Sequence, residues 1–226
     1  NYPHIGKAVV KIFNKAGIDL IILPEKVDSG RPAYSKGALD KAKTKAIHNL
    51  KLLEPYAKNS IPIVGVEPSV VVMLKKEYRD LVPGKEADRV AELSSLIEDY
   101  LIRGIETDKF SFQFDGKPRK VLYHGHCQQK ANLGTERTLE LLKLIPNCAV
   151  EEIEAGCCGM AGAFGYESEH YSLSLEIAEL ALAPRIRKSD PETIIAASGT
   201  SCREQILHTT ERKALHPLEV FAEALA

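Results

Sequence analysis

The chain has 226 residues, 44% of them hydrophobic, which is enough to build the core of an ordinary globular protein without disulfide staples. Its 30 basic and 31 acidic residues give a formal charge of −1 and form no long block of either sign, so the sequence predicts no nucleic-acid partner. There is no apolar run of about 18 residues and no signal-peptide pattern, which predicts a cytoplasmic protein without a membrane span, while peripheral membrane association stays open.

The first half of the chain alternates short apolar stretches with helical patterns. Strands are predicted at 19–24 (DLIILP) and 61–66 (IPIVGV), because both are short and rich in β-branched residues. Apolar residues recur at helical spacing over 39–53 until a proline interrupts them, and again over 90–101 until a glycine. The opening NYPHIGKAVV lacks an initiator methionine and soon enters an amphipathic pattern, so we expect the chain to be part of a longer protein.

The second half shows the same alternation after an aperiodic segment. Residues 107–119 carry a glycine and a proline, which is typical of a linker. Strands follow at 120–125 (KVLYHG), 148–153 (CAVEEI) and 193–198 (TIIAAS), with a helical pattern over 173–180. This order predicts an α/β fold with mainly parallel sheets flanked by helices.

The two halves also resemble each other, which predicts an internal duplication. DSG at 28–30 falls where CCG at 157–159 falls, and EPSV at 67–70 falls on GTSC at 199–202. The alternative, that any two βαβ stretches align this loosely, stays open. The predicted domains are two pseudo-repeated βαβ halves, the first at 1–106 with its cysteines lost, a linker at 107–119, and the second at 120–226 with a cysteine cluster.

Four of the five cysteines follow strands in the second half: Cys127, Cys157, Cys158 and Cys202. An odd number of cysteines in a chain of this size favours metal or redox chemistry over a disulfide framework. Loops that follow parallel strands emerge at one edge of the sheet, so these thiols are expected to converge. Thiolates are the ligands of iron–sulfur clusters and of zinc, and the nearby glycines would let the backbone approach such a group.

Four stretches of the second half resemble, in order, the cysteine-rich CCG domain: HGHCQQKA (124–131), EAGCCGMAGAFGYE (154–167), SGTSCREQI (198–206) and HPLEV (216–220). That domain occurs in the iron–sulfur subunit of glycolate oxidase and in heterodisulfide reductases. It also occurs at the C-terminal end of FAD-linked 2-hydroxy acid dehydrogenases fused to iron–sulfur domains, to which the likeness is greatest. In the first half, SGRPAYSKGALDKAK (29–43) and VEPSVVVMLKKEY (66–78) are similar to the family's first copy.

The resemblance implies an electron-transfer region of an oxidoreductase, not catalytic alone, whose parent oxidises a 2-hydroxy acid of the glycolate, lactate or 2-hydroxyglutarate type. It implies one iron–sulfur cluster, a [4Fe-4S], held by Cys127, Cys157, Cys158 and Cys202. Gly156, Gly159 and His126 would lie against the cofactor. FAD and the substrate would bind in sequence outside this chain, and the implied partners are flavin and ferredoxin-like domains or subunits.

The chain departs from the family pattern at several positions. The family's last motif is CxxC, and Gly199 stands at its first cysteine, so four thiolates remain, enough for a cubane cluster or for a zinc ion. Gln128 replaces a histidine that is usual in close relatives, and Val70 replaces a cysteine in the first half, where we expect no cluster. Two alternatives stay open: heterodisulfide-reductase-like disulfide chemistry, which the loss at Gly199 disfavours, and a zinc-stabilised structural or docking domain.

Other cysteines and histidines have plainer interpretations. Cys148 begins a predicted strand outside every motif and is expected to be ordinary core. His124 and His126 flank Cys127, and of the two His126 is predicted to be functional. His216 precedes a proline at a predicted helix start and is expected to be structural.

Overall fold

The computed structural model describes residues 2–226 as an α/β protein whose strands all pair in parallel, which confirms the predicted fold class. The strands are β1 (Ile63–Gly65), β2 (Ser94–Leu96), β3 (Arg119–His124), β4 (Cys148–Glu152), β5 (Ile194–Ala197) and β6 (Ala214–Leu215). The helices are α1 (Pro3–Lys15), α2 (Arg31–Ser35), α3 (Leu39–Lys58), α4 (Pro68–Val72), α5 (Tyr78–Leu81), α6 (Lys85–Leu93), α7 (Ile97–Glu106), α8 (Cys127–Asn132), α9 (Glu136–Lys143), α10 (Tyr171–Glu179), α11 (Leu182–Arg187), α12 (Thr200–Thr210) and α13 (Pro217–Ala224).

The chain forms two compact units. The first unit is Ile21–Tyr100, and the second unit joins the residues up to Leu20 with Leu101–Ala226. These bounds differ from the predicted halves at 1–106 and 120–226, because α1 packs against α13 at the far end of the chain. The duplication stays a prediction.

The α1–α13 contact follows from the amphipathic pattern of α1. The buried face of α1 includes Ile12 and Phe13, which are 0% and 3% exposed. Lys11 Nζ donates a hydrogen bond to the carbonyl oxygen of Ala222 in α13, at 2.8 Å. A helix with one apolar stripe must bury it, and α13 offers the matching surface.

The predicted linker also packs on α13. The rings of Phe112 and Phe114 meet the ring of Phe221 edge to face, with centroids 5.1 and 5.4 Å apart. Phe114 forms an antiparallel bridge with Leu225. Aromatic pairs of this geometry add to the free energy gained by burial, so the segment is part of the second unit's packing.

The predicted strand at 19–24, most of which belongs to the first unit, is wrong. The segment has no regular structure, and Ile21 and Ile22 are 53% and 71% exposed. A β-branched run becomes a strand when a neighbour supplies hydrogen bonds and packing, and β1 pairs instead with β2. The predicted strand at 61–66 is confirmed as β1.

The predicted end of the long helix at Pro55 is also wrong, because α3 continues to Lys58. Proline costs the helix one hydrogen bond, yet the added turn buries Ala57, which is 4% exposed and belongs to the same core cluster as Leu53. A salt bridge of 3.0 Å between Glu54 and Lys58 spans the same turn. Burial and local charge pairing therefore outweigh the lost bond.

The helix predicted over 90–101 is interrupted by a strand. α6 ends at Leu93, and β2 then lies parallel to β1, with Ser94 opposite Ile63. Ser94 Oγ donates a hydrogen bond of 2.6 Å to the carbonyl oxygen of Val90, which satisfies one acceptor of the last turn of α6. The helical pattern resumes as α7 and runs past Gly104 to Glu106.

The second unit is built on one parallel sheet of four strands in the order β4-β3-β5-β6. The chain leaves β3 for β4 on one side and then crosses to β5 on the other, so β3 lies between the two strands that follow it. Such a reversal of strand order opens a crevice at the carboxyl ends of the strands. The strands predicted at 120–125, 148–153 and 193–198, and the helix at 173–180, are confirmed as β3, β4, β5 and α10.

Candidate metal centre

Four thiols meet at the carboxyl edge of the second unit's sheet. Cys127 is the first residue of α8 after β3, Cys157 and Cys158 lie in the loop after β4, and Cys202 lies in the first turn of α12 after β5. Each thiol hydrogen-bonds to the next, in the order 127, 157, 158, 202. The convergence expected from parallel topology is therefore present.

Hydrogen bonding divides the four thiols into acceptors and donors. Cys157 accepts from Cys127 and Cys158, and these bonds lower the pKa of the Cys157 thiol. Cys202 accepts from Cys158 and lies beside the His124 imidazole, and these contacts lower its pKa well below the usual value. The same hydrogen bonds raise the pKa of the donors Cys127 and Cys158. Thiolates at Cys157 and Cys202 are thus stabilised, and the thiolate is the form that binds metal.

The loop after β4 requires glycine at one position. Gly159 has φ +96°, and a Cβ atom there would lie 2.0 Å from the carbonyl oxygen of Ser174. Its backbone N–H donates to Cys157 Sγ at 3.4 Å. Gly156 has no such restriction, since a Cβ there would meet nothing within 4 Å. The role of both glycines beside a cofactor stays a prediction.

The first unit contains a similar turn in which a carboxylate oxygen, instead of a thiol sulfur, accepts the hydrogen bond. Gly30 N donates to Asp28 Oδ1 at 2.9 Å, just as Gly159 N donates to Cys157 Sγ. Gly30 is also left-handed, with φ +81°, and a Cβ there would lie 3.1 Å from the carbonyl oxygen of Ala42. This local match falls on the residues that the sequence comparison aligned.

His126 caps a helix and fills the space beside Gly199. Its Nδ1 accepts a hydrogen bond of 3.1 Å from Gln128 N at the start of α8. A Cβ at Gly199 would lie 2.2 Å from His126 Cδ2 and 3.2 Å from Cys202 Sγ. The imidazole therefore occupies the space into which a cysteine side chain at position 199 would project. The predicted contact of His126 with a cofactor stays a prediction.

His124 differs from His126 in the hydrogen bonding of its ring nitrogens. It is 0% exposed, and neither ring nitrogen has a well-formed hydrogen bond with the residues that the structure describes. Its ring nevertheless makes a loose hydrogen-bonding contact with the Cys202 thiol, which helps to lower the pKa of that thiol. A buried polar group without a well-formed hydrogen bond is uncommon in proteins and indicates a bound group or a functional role.

A buried hydrogen-bond network beneath the thiols was not predicted from the sequence. Tyr123 Oη donates to Gln129 Oε1 at 3.0 Å and contacts Ser198 Oγ at 2.8 Å, which ties the loop after β3 to the loop after β5. The Arg203 guanidinium donates to the carbonyl oxygens of Ala197 and Ser198 at 3.0 and 2.9 Å. The signal available in the sequence was polar residues directly beside the cysteine motifs.

The remaining candidate ligands lie outside this row. Cys148 is half-buried at the opposite, N-terminal end of β4, where burial raises the pKa of its thiol. Within residues 2–226, the one group of three metal-ligating side chains whose ligand atoms all lie within 4.8 Å of one another is Glu167, Glu169 and His170. The four thiols therefore form a row rather than a compact group.

A family comparison matches most of the second unit. Residues 121–206 match the family described as "Cysteine-rich domain", abbreviated CCG. The match contains Cys127, Cys157, Cys158 and Cys202, and it confirms the resemblance that their motifs indicated.

Curated relatives include subunits and parts of dehydrogenases. One subunit of the anaerobic glycerol-3-phosphate dehydrogenase of Escherichia coli is 29% identical over all of this chain and 56% of that protein. The D-2-hydroxyglutarate dehydrogenase of Pseudomonas putida is 30% identical over 94% of this chain and 20% of that protein. The lactate utilization protein A 2 of Bacillus cereus is 25% identical over all of this chain and 94% of that protein.

The chain thus spans about half of the first relative and a fifth of the second, but nearly all of the third. Among the described residues, no helix has the length and apolar character needed to cross a membrane.

Proposed function

We propose, on the premise that residues 121–206 are a cysteine-rich CCG domain, that this chain is the iron–sulfur electron-transfer region of a dehydrogenase. Its ligands would be Cys127, Cys157, Cys158 and Cys202. The observation that carries the proposal is the meeting of these thiols at the crevice formed by three neighbouring parallel strands.

The residues present fit an iron–sulfur cluster. The donor set is all thiolate, which is the usual set for such clusters. The Gly159 N–H already points at the Cys157 sulfur, and the buried imidazole of His124 lies beside the Cys202 sulfur. A bound cluster accepts and releases single electrons. The role of the chain is to hold it at the sheet edge and to supply hydrogen bonds to its sulfur atoms.

Four thiolates, with glycine at position 199, support one [4Fe-4S] cluster. A cysteine at 199 would supply the fifth ligand of the family's noncubane cluster, and His126 fills that space. The absence of this fifth ligand argues against heterodisulfide-reductase-like chemistry, which depends on the noncubane cluster.

Zinc is the second candidate, because the same thiols could bind it in a structural or docking domain. A tetrahedral zinc site with bonds of about 2.3 Å holds its sulfurs about 3.8 Å apart. In the part of the chain described, no three of the sulfurs lie within 4.8 Å of one another. Neighbouring thiols in the row are nevertheless in hydrogen-bond contact, so pairs of sulfurs fit zinc as well as a cluster, and metal analysis distinguishes the two.

The parent dehydrogenase would act on a 2-hydroxy acid, with flavin and ferredoxin-like domains or subunits as electron partners. Two relatives are named for D-2-hydroxyglutarate and lactate, which supports this substrate class. Glycerol 3-phosphate is a second candidate, since a relative that covers the whole chain is named for it. FAD and the alcohol would bind in the partner domains.

The test is metal and sulfide analysis of anaerobically purified protein. We expect about four irons and four acid-labile sulfides per chain, with a visible band that dithionite bleaches. Cys127→Ser should lose most of the iron. Cys148→Ser is the matched control and should keep it, because Cys148 lies at the other end of its strand. One zinc per chain without sulfide, or equal iron in the two variants, would contradict the proposal.

A further inference from the structure

Three buried histidines lie near the carboxyl edge of the second unit's sheet, and two of them cap helices. His126 Nδ1 accepts from Gln128 N, and His216 Nδ1 accepts from Leu218 N, each at 3.1 Å. His216 completes a capping box with Glu219 at the start of α13. His124 is the exception, since both of its nitrogens lack a well-formed hydrogen bond in the region described.

Leaving His124 unpaired costs free energy. A neutral imidazole carries one N–H donor and one acceptor, and a buried unsatisfied donor or acceptor costs about 1–3 kcal/mol. The site is fully closed to solvent at this residue, which is 0% exposed. A well-formed hydrogen bond from the imidazole to a neighbouring thiolate would remove part of this cost.

The sheet register brings His124 to Cys202. His124 is the last residue of β3 and lies opposite Ala197, the last residue of β5. The chain then enters α12, whose first turn carries Cys202, and the His124 ring lies beside that thiol. The backbone of two central strands therefore fixes the imidazole next to one predicted ligand sulfur.

We propose that His124 donates a hydrogen bond to the Cys202 thiolate when that thiolate holds the cluster, and thereby raises the cluster's reduction potential. This inference rests on the proposed function. A ligand thiolate keeps lone pairs that can accept hydrogen bonds, and the reduced cluster, which is more negative, is stabilised more by them. His124 acts through Cys202, so it is a positioning residue.

The test compares His124→Leu, which removes the donor, with His124→Gln, which keeps an N–H donor of similar reach. His216→Asn is the control, because it changes another buried histidine and keeps a side-chain oxygen for the helix cap. Iron per chain and the midpoint potential from a spectroelectrochemical titration are measured for each variant. We expect full iron throughout, a shift to more negative potential in His124→Leu, a smaller shift in His124→Gln, and no shift in the control.

Urea unfolding of the cluster-free proteins gives a readout that needs no metal. Here His124→Leu should be at least as stable as the parent chain, because it removes an unsatisfied buried group. Unfolding of this variant at clearly lower urea would show that the imidazole is structural and would overturn the inference.

Two further results would also overturn it. Full iron with an unchanged potential in His124→Leu excludes the hydrogen bond, while leaving the proposed function intact. Strong hyperfine coupling of the reduced cluster to ¹⁵N-labelled histidine, lost in His124→Leu together with iron, would make His124 a ligand rather than a donor. If the parent chain itself holds no iron, the proposed function fails, and the inference with it.

Discussion

The buried carboxyl group of Glu98 gives a quantitative prediction about stability. Glu98 lies in the first turn of α7, is 1% exposed, and neither carboxyl oxygen has a hydrogen-bond partner on another described residue. Burial raises its pKa from 4.5 to about 7, with a smaller contribution from the charge of Asp99. The folded protein therefore keeps a proton on Glu98 at pH values where the unfolded chain has lost it.

The sign and size of the effect follow from linkage. The folded pKa is raised, so between about pH 4.5 and 7 folding takes up a proton, and stability falls as the pH rises through this window. A shift of this size corresponds to a loss of about 3 kcal/mol in the free energy of unfolding, and the loss is complete above pH 7. Glu98→Gln cannot ionise, so it should be more stable than the parent chain at pH 8 by up to this amount and show little gain at pH 4.5.

The assay is urea unfolding between pH 4.5 and 8 under reducing conditions, followed by circular dichroism because the chain has no tryptophan. Glu92→Gln, an exposed residue of α6, is the control and should show the same pH dependence as the parent chain. Equal free energies of unfolding for Glu98→Gln and the parent chain at pH 8, or a gain that is the same at every pH, would refute the reasoning.

Two further predictions concern glycines at the candidate centre. Gly199→Cys should bind no additional iron and should unfold at lower urea, because its Cβ would lie 2.2 Å from the His126 ring. Adding His126→Ala should restore the stability of this variant. Additional iron bound by Gly199→Cys alone would contradict the argument. Gly159→Ala should destabilise the protein by about 1–3 kcal/mol, because the residue is left-handed and its Cβ would meet the Ser174 carbonyl oxygen; Gly156→Ala is the comparison variant, and similar urea midpoints for the two would contradict the argument.

The second unit could be predicted from the sequence because its pattern is local. Strands β3, β4 and β5 are short apolar runs, each followed by a cysteine, and parallel pairing alone brings the thiols to one edge. The different roles of His124 and His126 could not be predicted from the sequence in this way. Both lie within three residues of Cys127 in sequence, and their roles depend on backbone N–H groups and burial that periodicity does not encode.

The first unit was harder to predict because long-range packing decided its elements. The run at 19–24 has strong strand propensity but no neighbouring strand, whereas the weaker SSL of β2 becomes a strand because β1 lies beside it. Pro55 is tolerated because the last turn of α3 buries Ala57. In each of these elements a contact made elsewhere in the fold overrides the local preference.

The paired turns at 28–30 and 157–159 separate the shape of the loop from its redox chemistry. A carboxylate oxygen closes the first and a thiol sulfur closes the second, each by accepting the N–H of a left-handed glycine. The shape of this turn therefore does not depend on a cysteine. In a duplicated protein, one copy would then be able to lose its metal centre and still fold. The number of metal centres would be free to change during evolution while the architecture stays the same.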